Sequence, residues 1–341
     1  FLHLPSHYLS VAEPPEGIDQ ALYDQLNSPQ YFTVYPPVHQ LFFYASGLFG
    51  HSLYASTLIL KLPILLAECG TIWLLPRLLR QLQLPSENAA WYTLNPLVII
   101  ELSGNLHYEG VMIFFLVLAL WWVVRGHWIA SAAAFALAVN TKLLPLMFLP
   151  FFIRRLGWGR SMIYGLLVGG ITALLFWPFL EPALIANFSD SLGLYFKSFE
   201  FNASIYYVVR WIGYQVVGYN VIAKAGFILS LVAGGLILAT ALLERTARWD
   251  RLPLRWLTAQ AIYYALAVIV HPWYLSTLVL LAAFTRFRYV MVWSAMATVS
   301  YVTYRDTRYD ELEWLTAIEY LVVLGWLIYE WRWRPEKGLT S

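Results

Sequence analysis

The chain has 341 residues, of which 60% are hydrophobic, 17% aromatic and only 12% charged, with a net charge of +2 and a mean hydropathy of +0.60. Soluble domains lie nearer one half apolar and one quarter charged, so this composition excludes a disordered chain, a secreted disulfide scaffold and an ordinary cytosolic enzyme, and the small net charge offers no nucleic-acid surface. The single cysteine, Cys69, excludes an intramolecular disulfide and any cysteine-based metal cluster.

Residues 1–36 carry four acids and no Lys or Arg, the reverse of a signal peptide's basic start. The chain opens on Phe1 and not on Met, and a preceding segment is expected. As a helix, the apolar run 38–50 would cover roughly 20 Å, short of the roughly 30 Å hydrocarbon core, and it reads as a juxtamembrane helix. Eleven candidate crossings follow, at 54–76, 89–102, 108–124, 128–141, 143–153, 161–179, 221–243, 256–270, 273–285, 289–304 and 314–330. The expected fold is thus all-α, a polytopic transmembrane bundle.

Basic residues give that bundle an orientation. Fifteen of the 22 fall in loops near 77–80, 125, 154–160, 245–255, 286–288 and 332–337; the other seven are Lys61, Lys142, Lys197, Arg210, Lys224, Arg305 and Arg308. Eleven crossings then put an outer loop with its juxtamembrane helix at 1–53, the bundle at 54–330 with a second outer loop at 180–220, and a cytoplasmic tail at 331–341. One more crossing is expected upstream. The runs flanking Lys142 and His271 are too short to reach the outer surface, so the turns 140–142 and 271–274 are expected to be recessed. Polar backbone at that depth survives only against protein or a water-filled cavity, which predicts an outward-facing hollow. In the second outer loop, 204–217 has the pattern of an interfacial amphipathic helix carrying Arg210 and Trp211.

Few polar side chains fall at that hollow, and ionisable groups at membrane depth are costly and usually functional. Glu101, His107 and Glu109 occupy one short turn, where a desolvated carboxylate or an imidazole can take a proton from a substrate hydroxyl. The competing reading is a solvated loop whose Glu109 caps the next helix. Lys142 offers a recessed cation for a lipid phosphate, or else is a snorkelling lysine. Arg210, Arg305 and Arg308 are further phosphate candidates, or partners of acids such as Asp306 and Asp310. His271 precedes Pro272, where the helix must break. Trp273 and Tyr274 could stack on a sugar or belong to the aromatic belt. Lys61 and Glu68 read as structural partners of other helices. No His or acid pair shows a metal-ligand spacing, and no Walker A sequence is present.

Taken in order, Tyr35-Pro36-Pro37 with His39, Asn95-Pro96 to Glu101, Gly104 to Glu109, Thr141-Lys142 with Pro145, His271-Pro272-Trp273-Tyr274 and Ile318-Glu319-Tyr320 resemble the integral-membrane GT-C glycosyltransferases. The likeness is to bacterial mannosyltransferases that use polyprenyl-phosphate sugars. It implies transfer of a sugar, mannose by expectation, from a lipid phosphate to a glycan or lipid acceptor at the outer face of the cell's inner membrane. It also implies an active site lined by Glu109, with Lys142 at the lysine of that family's Lys-x-x-Pro stretch. Alongside these, His107 and Glu101 are expected to be catalytic. Arg210 and His271 would join Lys142 on the donor phosphate, and Trp273, Tyr274, Tyr35 and His39 would touch sugar or lipid. Such enzymes typically carry their base in the first outer loop, and here that acid is expected upstream of Phe1, since Glu13, Glu16, Asp19 and Asp24 do not match the pattern. Neither metal nor other cofactor is expected, and displacement in one step would invert the anomeric centre. The rival class is a transporter or lipid-carrier flippase, with Glu109 and Lys142 as gating charges; a scaffolding membrane subunit is a third reading.

Overall fold

The computed structural model describes residues 3–11, 18–26, 29–197, 199–305 and 309–333. Glu13, Glu16, Asp306, Arg308, Arg334 and Lys337 lie outside the described residues. Among those described, the chain is helical throughout, and its one extended pairing is an isolated bridge between Phe201 and Ile269.

Among the described residues, three helical runs are long and apolar enough to cross a membrane: Leu53–Gln81, Leu144–Phe179 and Ile222–Leu242. A fourth span is added if the pair Pro96–Gly104 and Glu109–Val124, bent by 114°, counts as one. The expected runs 143–153 and 161–179 therefore appear as a single run, but it is not straight. Gly157 breaks it at φ +76°, a conformation that glycine adopts without strain. Phe152 and Tyr164 stack across the break at 4.5 Å, whereas twelve residues of straight helix would hold them roughly 18 Å apart. The chain doubles back there. Residues 38–50 form the helix Pro37–Phe49, and 204–217 forms Ile205–Val217, whose Val208, Trp211, Ile212 and Val216 are exposed.

Lipid tails are as apolar as leucine, so helices in a bilayer associate through close packing and polar contacts. Small residues provide the close packing: Ala132, Ala134, Ala136 and Ala138 are buried along Trp128–Thr141. Gly70 lets Leu53–Gln81 approach Glu109–Val124 so closely that an added Cβ would lie 2.4 Å from the Phe114 ring. At the core, Phe135, Phe148 and Phe152 surround Trp256, with Phe148 stacked on it at 4.7 Å and Tyr164 packed behind Phe135 and Phe152. Large apolar side chains such as Leu66, Leu166, Leu231 and Leu321 point outward, as a hydrocarbon surround requires.

Polar contacts lock the Arg-rich end. Arg155 donates to both Glu244 oxygens at 2.8 and 2.9 Å, with both side chains wholly buried, and Arg255 adds a third contact at 3.0 Å. Glu330 accepts from the backbone N–H groups of Arg288 and Tyr289, satisfying donors that the start of Tyr289–Met296 leaves open. Midway along Leu53–Gln81, Glu68, expected to be structural, accepts from Tyr92 at 2.7 Å. With this end tied, the polar side chains remaining at the other end are the ones to consider for function.

Candidate active site

The site begins with an irregular helix. Asn95 caps Pro96–Val98 by accepting from the N–H groups of Leu97 and Val98. The chain then winds as a π-helix over Ile99–Gly104, a wide turn that recurs at functional positions. This turn buries Glu101, which is 2% exposed. Asn105, one turn on, donates to its Oε2 at 3.1 Å, and His107 Nε2 lies 3.4 Å from the same oxygen. Between them Leu106 sits at φ +62°, a region that bulky residues enter only under constraint, and such strain clusters at functional sites.

Glu109 opens the next helix, Glu109–Val124, where a carboxylate suits the positive end of the helix dipole. It is nonetheless no solvated cap. Glu109 is 2% exposed and forms an ion pair with Lys142. Lys142 stands just past the end of Trp128–Thr141 in extended backbone, its side chain 20% exposed, with its ammonium 5.4 Å from the Tyr274 ring centre. The second Glu109 oxygen is buried without a hydrogen-bond partner among the described residues, as is Nδ1 of both His39 and His271. His39 reaches this group from the juxtamembrane helix, stacking on Tyr108 at 4.1 Å and lying 4.3 Å from the Tyr35 ring. Burial, reinforced by the Lys142 charge, lowers the His39 and His271 pKa values to about 3 each, so both rings are neutral at ordinary pH. Burial also raises the Tyr35 hydroxyl, with Glu109 adding to the effect. The positive charge nearest Glu109 is therefore that of Lys142.

The turn at His271 supplies the far wall. His271 and His107 lie on opposite faces of the Trp273 indole, at 4.2 and 4.0 Å and within 11° of parallel. Phe201 extends the column beyond His271 at 4.6 Å. With both faces covered, Trp273 offers only its edge to a sugar or lipid. Arg210 is placed differently from the expectation: it pairs with Glu200 and Glu313 and lies over Tyr207 at 4.3 Å. Both its charge partners belong to a second polar cluster, so it does not reach Lys142's group. Asp19 caps a short helix by accepting from Leu22 N–H, and Asp24 accepts from Gln20.

Beside Glu101 opens a groove of about 1020 Å³, walled mainly by Trp91, Leu94, Leu97, Ile100, Met291 and Ala295. Glu87 lies toward its Arg-rich end, and Glu101 with Tyr301 toward the other; among the described residues no Lys or Arg lines it. Sequence reasoning did not anticipate Asn105, Tyr301 or the covering of Trp273. Only Asn105 had a local signal, its helical spacing from Glu101.

Residues 30–157 match the family described as alpha-(1->6)-mannopyranosyltransferase, N-terminal domain. The alpha-(1->6)-mannopyranosyltransferase A of Mycobacterium tuberculosis is 28% identical over 144 residues, which cover 41% of this chain and 28% of that protein. The matched family segment contains Tyr35, His39, Glu101, His107, Glu109 and Lys142, and leaves Arg210, His271, Trp273 and Tyr274 outside it. Over these N-terminal residues, the resemblance read from the sequence is borne out: the chain is similar to mannosyltransferases of the alpha-(1->6)-mannopyranosyltransferase type.

Proposed function

We propose that this chain acts as an integral-membrane glycosyltransferase, moving a mannosyl residue from a polyprenyl phosphate to an acceptor hydroxyl at the membrane face opposite the Arg-rich loops. The observation that carries the reading is the gathering of Glu101, His107, Glu109 and Lys142 at one end of the bundle beside a groove of about 1020 Å³. A polyprenyl phosphate is already an activated leaving group, so the protein has to deprotonate a hydroxyl and stabilise a departing phosphate. In place of the acid expected upstream of Phe1, Glu101 suits the deprotonation, because Asn105 holds it, His107 faces it and no Lys or Arg among the described residues pairs with it. Lys142 suits the phosphate. The groove, without a cation along its described walls, suits the apolar chain.

In this scheme the acceptor O–H gives its proton to the Glu101 carboxylate as the oxygen attacks the anomeric carbon. The bond from that carbon to the phosphate oxygen breaks, and the phosphate leaves with the electron pair. One displacement inverts the centre, so an α product, as the relative's name describes for that enzyme, calls for a β-configured donor. Eleven crossings, an inner-membrane location and an outward-facing site complete the reading.

The test is reconstitution of the full-length protein in vesicles with labelled polyprenyl-phosphate mannose and a lipid-linked mannose acceptor. Transfer that falls at least about a hundredfold in Glu101→Gln is expected for the loss of a general base. Labelled sugar carried intact across the bilayer with no product would replace the enzyme with a carrier, and a retained configuration would overturn the single displacement.

A further inference from the structure

Glu319, in the last helix Glu313–Trp333, is 1% exposed and has no part in the mechanism above. It accepts from Trp293 Nε1 at 2.9 Å and from Asn202 Nδ2 at 3.2 and 3.3 Å. Asn202 is fully buried and sits at φ +47°, a left-handed conformation that asparagine tolerates better than most residues but that still needs outside support. That support comes from every polar atom of its backbone. Its N–H donates to Glu311 at 2.9 Å, and its carbonyl accepts from Tyr320 at 2.8 Å.

The segment held in this way is joined to the recessed turn. Phe201 N–H donates to Val268 O at 3.0 Å, Val270 N–H donates to Phe201 O at 2.8 Å, and Ser204 donates to Ala265 O at 2.9 Å. His271 follows Val270 directly, and its ring rests on Phe201 on one side and on Trp273 on the other. Trp273 in turn carries His107, which faces Glu101. A continuous run of contacts therefore leads from the last helix to the candidate base, through two loops far apart in sequence.

We infer that Asn202 and Glu319 form a positioning pair, which clamps the loop at 199–204 onto 268–270 and thereby holds the His271–Trp273–His107 column against Glu101. The pair touches neither donor nor acceptor; it acts through the column. This inference rests on the proposed function only for its effect on rate. The clamp itself is a structural statement that can be tested without turnover.

The chemistry of the pair offers an exchange. Asn202→Asp sets two carboxylates against each other, and Glu319→Gln sets two amide donors against each other, unless one amide turns over. The double variant N202D/E319Q restores one carboxylate and one donor with their places swapped. In the full-length protein, hydrogen exchange at 199–204 and 266–275 is expected to rise about tenfold in N202D and to return within about twofold of wild type in the double variant. In the mannosyl-transfer assay, kcat is expected to fall about tenfold in N202D with donor KM within about twofold, and to recover in the double variant. In a Trp273→Ala background, which already lacks the column, N202D is expected to change kcat by less than about twofold.

Unchanged exchange at 266–275, or a double variant no better than N202D, overturns the clamp. An equal loss of kcat with and without Trp273 overturns its action through the column. If N202D does not fold, Glu319→Gln and the double variant carry the same comparison. A wild type with no transfer would defeat the proposed function while leaving the exchange measurement to decide the clamp.

Discussion

Lys142→Ala separates the two things asked of the Glu109–Lys142 pair. In the structure the change leaves a carboxylate that is 2% exposed, with one oxygen already lacking a partner and the other losing its counter-ion. Breaking a buried pair from one side costs roughly 3–5 kcal/mol. Because the Lys142 side chain is 20% exposed, some water can replace it, and the lower end, about 3 kcal/mol, is the expected loss. Removing both charges in Glu109→Gln/Lys142→Ala leaves no unpaired ion and should recover about 2 kcal/mol of this. Thermal and denaturant unfolding of the detergent-solubilised protein would read both values. The second role is separate: losing a charge-assisted contact to phosphate costs roughly 1.5–3 kcal/mol, or about 10–100-fold in affinity for polyprenyl phosphate, measured by titration into the same micelles. A Lys142→Ala protein that kept full affinity for the lipid phosphate would remove the phosphate role. A double variant as unstable as the single would show that the two charges do not depend on each other.

The other predictions concern the frame around this site. His39 and His271 have pKa values near 3 when folded, against 6.5 for the ordinary imidazole, so below pH 6.5 the unfolded chain binds the protons that the folded one refuses. Their contribution to stability is therefore complete above pH 6.5 and declines as pH falls toward 3, with a slope of up to about 1.4 kcal/mol per pH unit for each ring; an unchanged slope between pH 6.5 and 5 in His39→Gln would refute this for His39. Glu244→Ala strands the wholly buried Arg155 and should cost roughly 3–5 kcal/mol, whereas Arg255→Ala removes a side chain that is 39% exposed and should cost under about 1 kcal/mol; comparable unfolding shifts in the two would contradict that ranking. Gly70→Ala forces a methyl group onto Phe114 and should destabilise by about 1–3 kcal/mol, an effect that ought to shrink when Phe114 is also made smaller.

What the sequence reveals of this protein follows the range of the forces involved. The juxtamembrane helix Pro37–Phe49, the amphipathic Ile205–Val217 and the breaks at Lys142 and His271 all depend on apolar length or on a proline close by, and they are legible in the chain. The pairing of 143–153 with 161–179 across Gly157 is half legible: Arg154, Arg155 and Arg160 mark a turn, but nothing local says that the helical run continues through it. The site divides along the same line. Glu101, His107 and Glu109 are adjacent in sequence and can be read together, and Lys142 can be read as recessed because its flanking helices are short. The partners of these residues lie far off in the chain. Lys142 is 33 residues from the Glu109 that it neutralises, and only folding sets His271 and His107 on opposite faces of one indole.

The expectations for Trp273 and Arg210 turn on the same distinction. Trp273 reads as a sugar platform because aromatic faces bind sugars; what decides the matter is whether a face is open, and that depends on His107, from another part of the chain. Arg210 reads as a phosphate ligand because it is a cation in an outer loop, but Glu200, ten residues before it, and Glu313, over a hundred residues after it, already neutralise it. A charged residue in such a chain is informative about ligands only when its protein partners leave it incompletely satisfied. By that criterion Lys142, partly exposed and paired among the described residues with Glu109 alone, is the cation that the proposed function assigns to the departing phosphate, and Arg210 ties its loop to the last helix.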